Sequence, residues 1–248
     1  MQTIDLNCDM GETLSGQLKN IDHEIMPFIS SCNIACGFHS GSPTVIEQTV
    51  RNAIKHGLKI GAHPSYNDRE NFGRLSLEIK LVELIPQLRY QICAVKGIVE
   101  SLGGKLNHVK PHGALYNDMV NNEKLAQAFV SLVLEIDPEL HIYGLAGSPL
   151  YSICEEKEVV FVNEGFADRK YDGKTQLRSR QSDGALLEND SDVLFQVESL
   201  LNGKLELYSK EIVKLHVDSI CLHSDTPGAI RLSKVIHNFI LTKDISIE

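Results

Sequence analysis

The chain has 248 residues, 42% of them hydrophobic and 23% charged, enough for a sizeable buried core. Its 24 basic and 33 acidic residues give a formal net charge of −9 with no basic cluster, which argues against nucleic acid as a partner. No apolar stretch is long enough to span a bilayer, and MQTIDLNCD lacks the basic-then-apolar pattern of a signal peptide. The cysteines (Cys8, Cys32, Cys36, Cys93, Cys154 and Cys221) form no CxxC pair and mostly lie in apolar runs. That is the usage expected of a reduced, cytoplasmic protein.

The first β-like run, 3–8, places Asp5, Asn7 and Asp9 on one face and Ile4, Leu6 and Cys8 on the other. A second run, 31–37, carries Asn33 and leads to His39. The segment 44–55 then spaces Ile46, Val50, Ala53 and Ile54 as a helix, started by Ser42-Pro43 and stopped by Gly57. The third run, 58–62, leads to His63. Ile92, Val95, Val99 and Leu102 mark the next helix, which Pro86 is expected to kink or start. In the fourth run, 106–110, His108 and Lys110 share a face, with His112 in phase just beyond.

Leu125, Phe129, Leu132 and Val133 mark another helix, and the fifth run, 141–145, leads into Ser148-Pro149, a second helix-start signal. The sixth run, 159–163, is followed by Glu164 and by an irregular stretch, 167–189, that holds Asp168 and Arg169. A stretch that long inside a compact domain is expected to be functional or mobile. Leu194, Val197, Leu200 and Leu201 mark a further helix. The seventh run, 218–222, aligns Cys221, His223 and Asp225 before a third start signal, Thr226-Pro227. Strand alternating with helix predicts an α/β fold over one domain, 1–248: a seven-stranded (β/α) barrel with helices outside.

In such a barrel the polar phase points into the lumen, and reactive residues gather at the C-terminal strand ends. Histidine at the end of a buried strand suits chemistry better than packing. His39, His63, His112 and His223 all stand there, with Asp9 and Lys110 in lumen phase. Taken singly, each histidine is more readily a hydrogen-bonded structural residue than a catalytic one, and the convergence of four brings the two readings level. Glu164, Asp168 and Arg169 fit an ion-pair network holding the long loop equally with substrate contact. HVKPH mimics an HxxxH metal pair, but Pro111 and the apolar run favour a strand, which would separate His108 and His112 by about 13 Å. His108 therefore reads as a lower-lumen hydrogen-bonding residue. No GxxxxGK[ST] motif is present, so a Walker-type ATP site is not expected.

The motifs DLNCDMGE, NIACGFHSGSP, IGAHPSYNDRENFGR, HVKPHGALYN, GLAGSPLY, EGFADRKY and SICLHSDTPGAI, in this order, resemble the LamB/YcsF family over residues 5–230. Cys32, Ser40, Ser42, Ser65 and Ser224 depart from its usual pattern, Ser42 standing where an acidic residue is common. The resemblance implies a seven-stranded barrel related to the polysaccharide deacetylases. The family is associated with the A subunit of the prokaryotic ATP-dependent 5-oxoprolinase. It therefore implies opening of 5-oxo-L-proline to L-glutamate, with ATP as co-substrate and subunits B and C as partners.

On this reading Asp9 or one of the histidines deprotonates water. Lys110 and backbone N–H groups at helix starts stabilise the developing oxyanion or phosphate. Arg169 pairs with the substrate carboxylate, and Asn7, Asn33, Glu164, Asp168 and Asp225 complete the substrate-binding set. Two other readings compete: a stand-alone metal-dependent deacetylase or amidohydrolase, and a non-catalytic binding subunit. Whether a divalent metal is bound is left open.

Overall fold

Seven parallel strands close on themselves in the computed structural model, which describes residues 2–13 and 20–248. They are β1 (Gln2–Met10), β2 (Ser31–Ala35), β3 (Lys59–His63), β4 (Leu106–Val109), β5 (His141–Leu145), β6 (Phe161–Phe166) and β7 (Ser219–His223). Neighbours pair in chain order, and β7 returns to β1 with Asp5 opposite Ser219 and Asp9 opposite His223. A short strand, Ile245–Ile247, extends the foot of β1.

The helices that cover this barrel are α1 (Asn20–Ile25), α2 (Pro43–His56), α3 (Leu81–Ser101), α4 (Gly113–Asn121), α5 (Glu123–Ile136), α6 (Leu150–Glu156), α7 (Asp190–Leu201) and α8 (Ala229–Leu241). The apolar phase of each strand faces them. Ile4, Leu6, Cys8 and Met10 of β1 are buried, as are Ile46, Val50 and Ala53 of α2. Burial of these two facing apolar surfaces is what holds the strand–helix units together.

Several local expectations need correction. Of the three hydroxyl–proline signals, only Ser42 caps its helix, accepting from the N–H of Val45 at 3.3 Å. Ser148 makes no such bond, and α6 is preceded by Pro149. Thr226 donates instead to Asp168, and α8 begins after Gly228. Pro86 does not start α3 but lies inside it, one turn after Val82, whose carbonyl loses a partner on an exposed face. Strand β6 begins two residues late because the Val159 N–H still bonds the Cys154 carbonyl at the end of α6. The stretch 167–189 is anchored, with Asp168 and Tyr171 fully buried and a hairpin between Tyr171–Gly173 and Gln176–Leu177.

The lumen is polar, unlike the branched-aliphatic filling common in such barrels. At its foot Asp5 receives the hydroxyls of Ser31, Tyr143 and Ser219. Above, Asn7 donates to Glu164 at 2.9 Å, and His108 Nε2 donates to Asn33 Oδ1 at 2.7 Å. His108 thus sits in the lower lumen, away from the mouth. It lies across the lumen because β3 has no side chain there: a Cβ on Gly61 would collide with its Nε2. Mutual hydrogen bonding is what makes so polar an interior tolerable.

Candidate active site

The upper lumen is organised by Asp9. Its Oδ1 accepts from Asn33 at 2.8 Å and from the Lys110 ammonium at 2.9 Å. Its Oδ2 faces the mouth, 3.4 Å from His63 Nε2 and 4.0 Å from His223 Nε2. Burial alone would raise the Asp9 carboxyl, but His63 and Lys110 outweigh it and hold the group well below the usual carboxylate range.

Lys110 is itself buried, between Asp9 and Glu164 (2.8 Å), with Asn7 Oδ1 and Cys221 Sγ at 3.3 and 3.1 Å. Burial opposes its charge, yet Asp9, Cys221 and Glu164 raise it well above the ordinary lysine value. Three ammonium hydrogens meet four acceptors, so this cation keeps no hydrogen in reserve.

Above Asp9 lies a cluster at the ends of three strands. His39 Nε2 and His112 Nδ1 each stand 3.2 Å from Oε1 of Glu12, and His63 Nε2 stands 3.8 Å from it. His63 Nε2 and His112 Nδ1 are 2.9 Å apart. Burial and the neighbouring His112 lower His39 to about 3, and burial lowers His112 against the pull of Glu12. Burial would raise Glu12, but its contacts with His112 and His39 hold it well below its usual range.

Glu12 is absent from the residues that sequence reasoning selects. Strict alternation after Asp9 would send residue 12 to the outer face. Gly11 breaks that alternation with a φ of 71°, a left-handed conformation that favours glycine, and turns Glu12 back over the lumen. The one available signal was the GE pair directly after the strand.

His223 stands apart. Its Nδ1 lies 3.0 and 3.1 Å from the two oxygens of Asp168, and its ring stacks on Phe166. Asp168 also accepts from the His223 backbone N–H and from the Thr226 hydroxyl. Burial opposes these contacts, but His223 and Thr226 together bring Asp168 down to about 2.

A cavity of about 580 Å³ opens above these groups, bounded by Asp9, Glu12, His63, Lys110, His112, His223, Arg74, Arg169 and the hairpin after β6. Of the expected substrate-binding residues, only Arg169 lines it. Asn7, Asn33 and Glu164 lie beneath, holding Asp9 and Lys110. Asp168 lies behind His223, and Asp225 is engaged at the rim by Arg74 and Arg180. Arg169 donates to the Arg178 carbonyl at 2.6 Å, while its buried Nε has no hydrogen-bond partner among the described residues. Burial, then Arg180, lowers its guanidinium to about 10.

Known proteins match the chain along its whole length. It is 41% identical to the 5-oxoprolinase A subunit of Bacillus cereus (strain AH187), across 100% of this chain and 98% of that protein. It is also 41% identical, with the same coverage, to the 5-oxoprolinase A subunit of Bacillus mycoides (strain KBAB4). The crystal structure of the lactam utilization protein from Thermus thermophilus superposes with a TM-score of 0.91 at 31% identity, covering 100% of this chain and 99% of that one. A putative cellobiose-phosphate cleavage protein from Enterococcus faecalis V583 shares the fold alone, at a TM-score of 0.58 and 15% identity, with 100% of this chain and 97% of that one covered. The LamB/YcsF family profile matches residues 4–248, and the chain belongs to that family.

Proposed function

We propose that this chain is the ring-opening subunit of a 5-oxoprolinase, converting 5-oxo-L-proline to L-glutamate together with partner subunits that use ATP. The observation that carries the reading is the His223–Asp168 pair at the floor of a cavity whose wall holds a buried arginine. The full-length relatives, named as 5-oxoprolinase A subunits, supply the substrate class.

A five-membered amide is a poor electrophile, and its nitrogen a poor leaving group. Transfer of the γ-phosphoryl group of ATP to the ring amide oxygen, assigned here to the partners, activates the carbon. Water then adds at that carbon, His223 Nε2 taking one proton and passing it to the ring nitrogen. The new hydroxyl then gives its proton to the same nitrogen through His223 as the C–N bond breaks, leaving a free amine and γ-glutamyl phosphate. A second water releases phosphate and L-glutamate.

His223 is assigned as the base because the other three histidines aim their inner nitrogens at one another or at Glu12 inside the cluster. Its Nδ1–H is held by Asp168, so Nε2 presents a lone pair to the cavity. Asp9, held anionic, stabilises the imidazolium that forms. Arg169 takes the substrate carboxylate with the part of its guanidinium that lines the cavity.

The assay is glutamate release from 5-oxo-L-proline, with the chain alone and with its partner subunits, each with and without ATP. Release is expected only from the complete, ATP-supplied mixture and is lost with His223→Ala. No release from the complete mixture would sink the reading.

A further inference from the structure

We infer that His63, His112 and Glu12 form a binding site for one divalent transition-metal ion, zinc by preference. The inference stands apart from the lactam reading, because it rests on the chemistry of the donors alone.

Two backbone carbonyls decide where the imidazole hydrogens are. His63 Nδ1 lies 2.6 Å from the Lys110 carbonyl oxygen, and His112 Nε2 lies 2.8 Å from that of Phe72. A carbonyl only accepts, so both of those nitrogens carry hydrogen. In the neutral rings, His63 Nε2 and His112 Nδ1 are then bare, and these two lone pairs face each other at 2.9 Å. Glu12 Oε1 adds a third acceptor at 3.2 and 3.8 Å from them. Three buried acceptors converge on one another, and a cation between them resolves the conflict.

The spacing suits a metal. Ligand bonds of about 2.0–2.1 Å in a tetrahedron set donor atoms about 3.3 Å apart. The three observed separations, 2.9, 3.2 and 3.8 Å, fall on either side of that value. Two imidazoles and one glutamate are a donor set used by catalytic zinc, which leaves the fourth position open. Here all three residues line the cavity, so the open position is reachable. The carbonyls behind His63 and His112 are the outer contacts that metal-bound histidines commonly make.

His39 is assigned to the outer shell. Its ring lies parallel to His112, with centroids 3.8 Å apart and planes 3° from coincidence, so both rings cannot aim in-plane lone pairs at one ion. It instead donates from Nε2 to Glu12 while Nδ1 meets the Ser65 hydroxyl, which orients the carboxylate. The other convergent trio, Asp9, Cys221 and His223, is a worse site because the Lys110 ammonium stands 3.1 Å from the Cys221 sulfur.

The experiment strips the full-length chain with a chelator and dialyses it against zinc chloride, reading metal per chain by atomic emission. Cobalt chloride in a parallel sample gives the visible spectrum. We expect one zinc per chain and the intense cobalt bands of a low-coordinate site. Cys93→Ser, at an exposed thiol, should leave both unchanged. Glu12→Gln and His112→Gln should each weaken zinc binding by about 100-fold or more. Stoichiometry near zero, or binding indifferent to both substitutions, overturns the inference. If either variant fails to fold, nitrogen NMR of the wild-type imidazoles decides. Zinc must move the His63 Nε2 and His112 Nδ1 signals; a proton bridging those nitrogens that zinc does not displace overturns the site.

Discussion

Asp168 holds Nδ1 of His223 at 3.0 Å, and that pairing turns Nε2 of the same ring toward the cavity, 4.0 Å from Asp9. Asp168 is fully buried and lies on the loop after β6, whereas His223 ends β7. Two elements distant in sequence therefore fix one tautomer. Replacing Asp168 by Asn keeps the shape but offers an amide hydrogen to Nδ1, favouring hydrogen on Nε2. Glutamate formation should fall by about 10²–10⁴-fold, as when a general base is lost. His223→Ala should fall as far, and the double variant no further, because the pair acts as one unit. Multiplying losses in steady-state kinetics would separate the two residues.

The same carboxylate makes stability depend on acid. Asp168 titrates at about 2 when folded, against roughly 3.9 in an unfolded chain. The unfolded state therefore binds the proton first as pH falls. The stabilisation is complete above about pH 5 and is lost progressively as pH drops through about 2, amounting to about 2–3 kcal/mol. Urea unfolding from pH 5 down to pH 2 should show wild type and Asp168→Asn converging. A constant gap between them would mean that Asp168 is not held ionised by the fold.

Lys110 sits between two buried carboxylates, and its removal leaves both without their cation. Lys110→Met, close in volume, should cost about 3–5 kcal/mol in urea unfolding at neutral pH, the range for breaking a buried pair. Restoring the balance with Lys110→Met plus Glu164→Gln should recover part of that loss. A single variant as stable as wild type would show that the ion pairs contribute nothing net.

The barrel was legible because its signals are local: seven apolar runs with alternating phase, and helical spacing between them. Strand phase also placed His108 below the site and Asp9 and Lys110 within it, since alternation carries through an uninterrupted strand. Legibility ended where the backbone leaves alternation. Gly11 turns Glu12 inward, and no periodicity reports a left-handed residue's consequence for its successor. The roles of Asn7, Asn33 and Glu164 were equally hidden, because phase shows that a side chain enters the lumen but not which neighbour it bonds there. Thr226 looked like a helix cap by local pattern and was taken instead by Asp168, 58 positions away in the chain.

Arg169 offers the sharpest test of how the cavity selects its substrate. The guanidinium is largely buried and lines the cavity, so an incoming carboxylate meets a poorly solvated cation there. Arg169→Gln should raise KM for 5-oxo-L-proline by about 10–100-fold, equivalent to the loss of a charged hydrogen bond of roughly 1.5–3 kcal/mol. The effect on kcat should be smaller, because the contact is remote from the reacting amide. The lactam lacking a carboxylate, 2-pyrrolidinone, separates binding from a general disturbance of the loop. Wild type should discriminate against it by the same factor that Arg169→Gln loses on the acid, while the variant should treat the two lactams nearly alike. If the variant still prefers the acid by the wild-type factor, the carboxylate is held elsewhere, and Arg74 and Arg180 at the rim become the groups to substitute next.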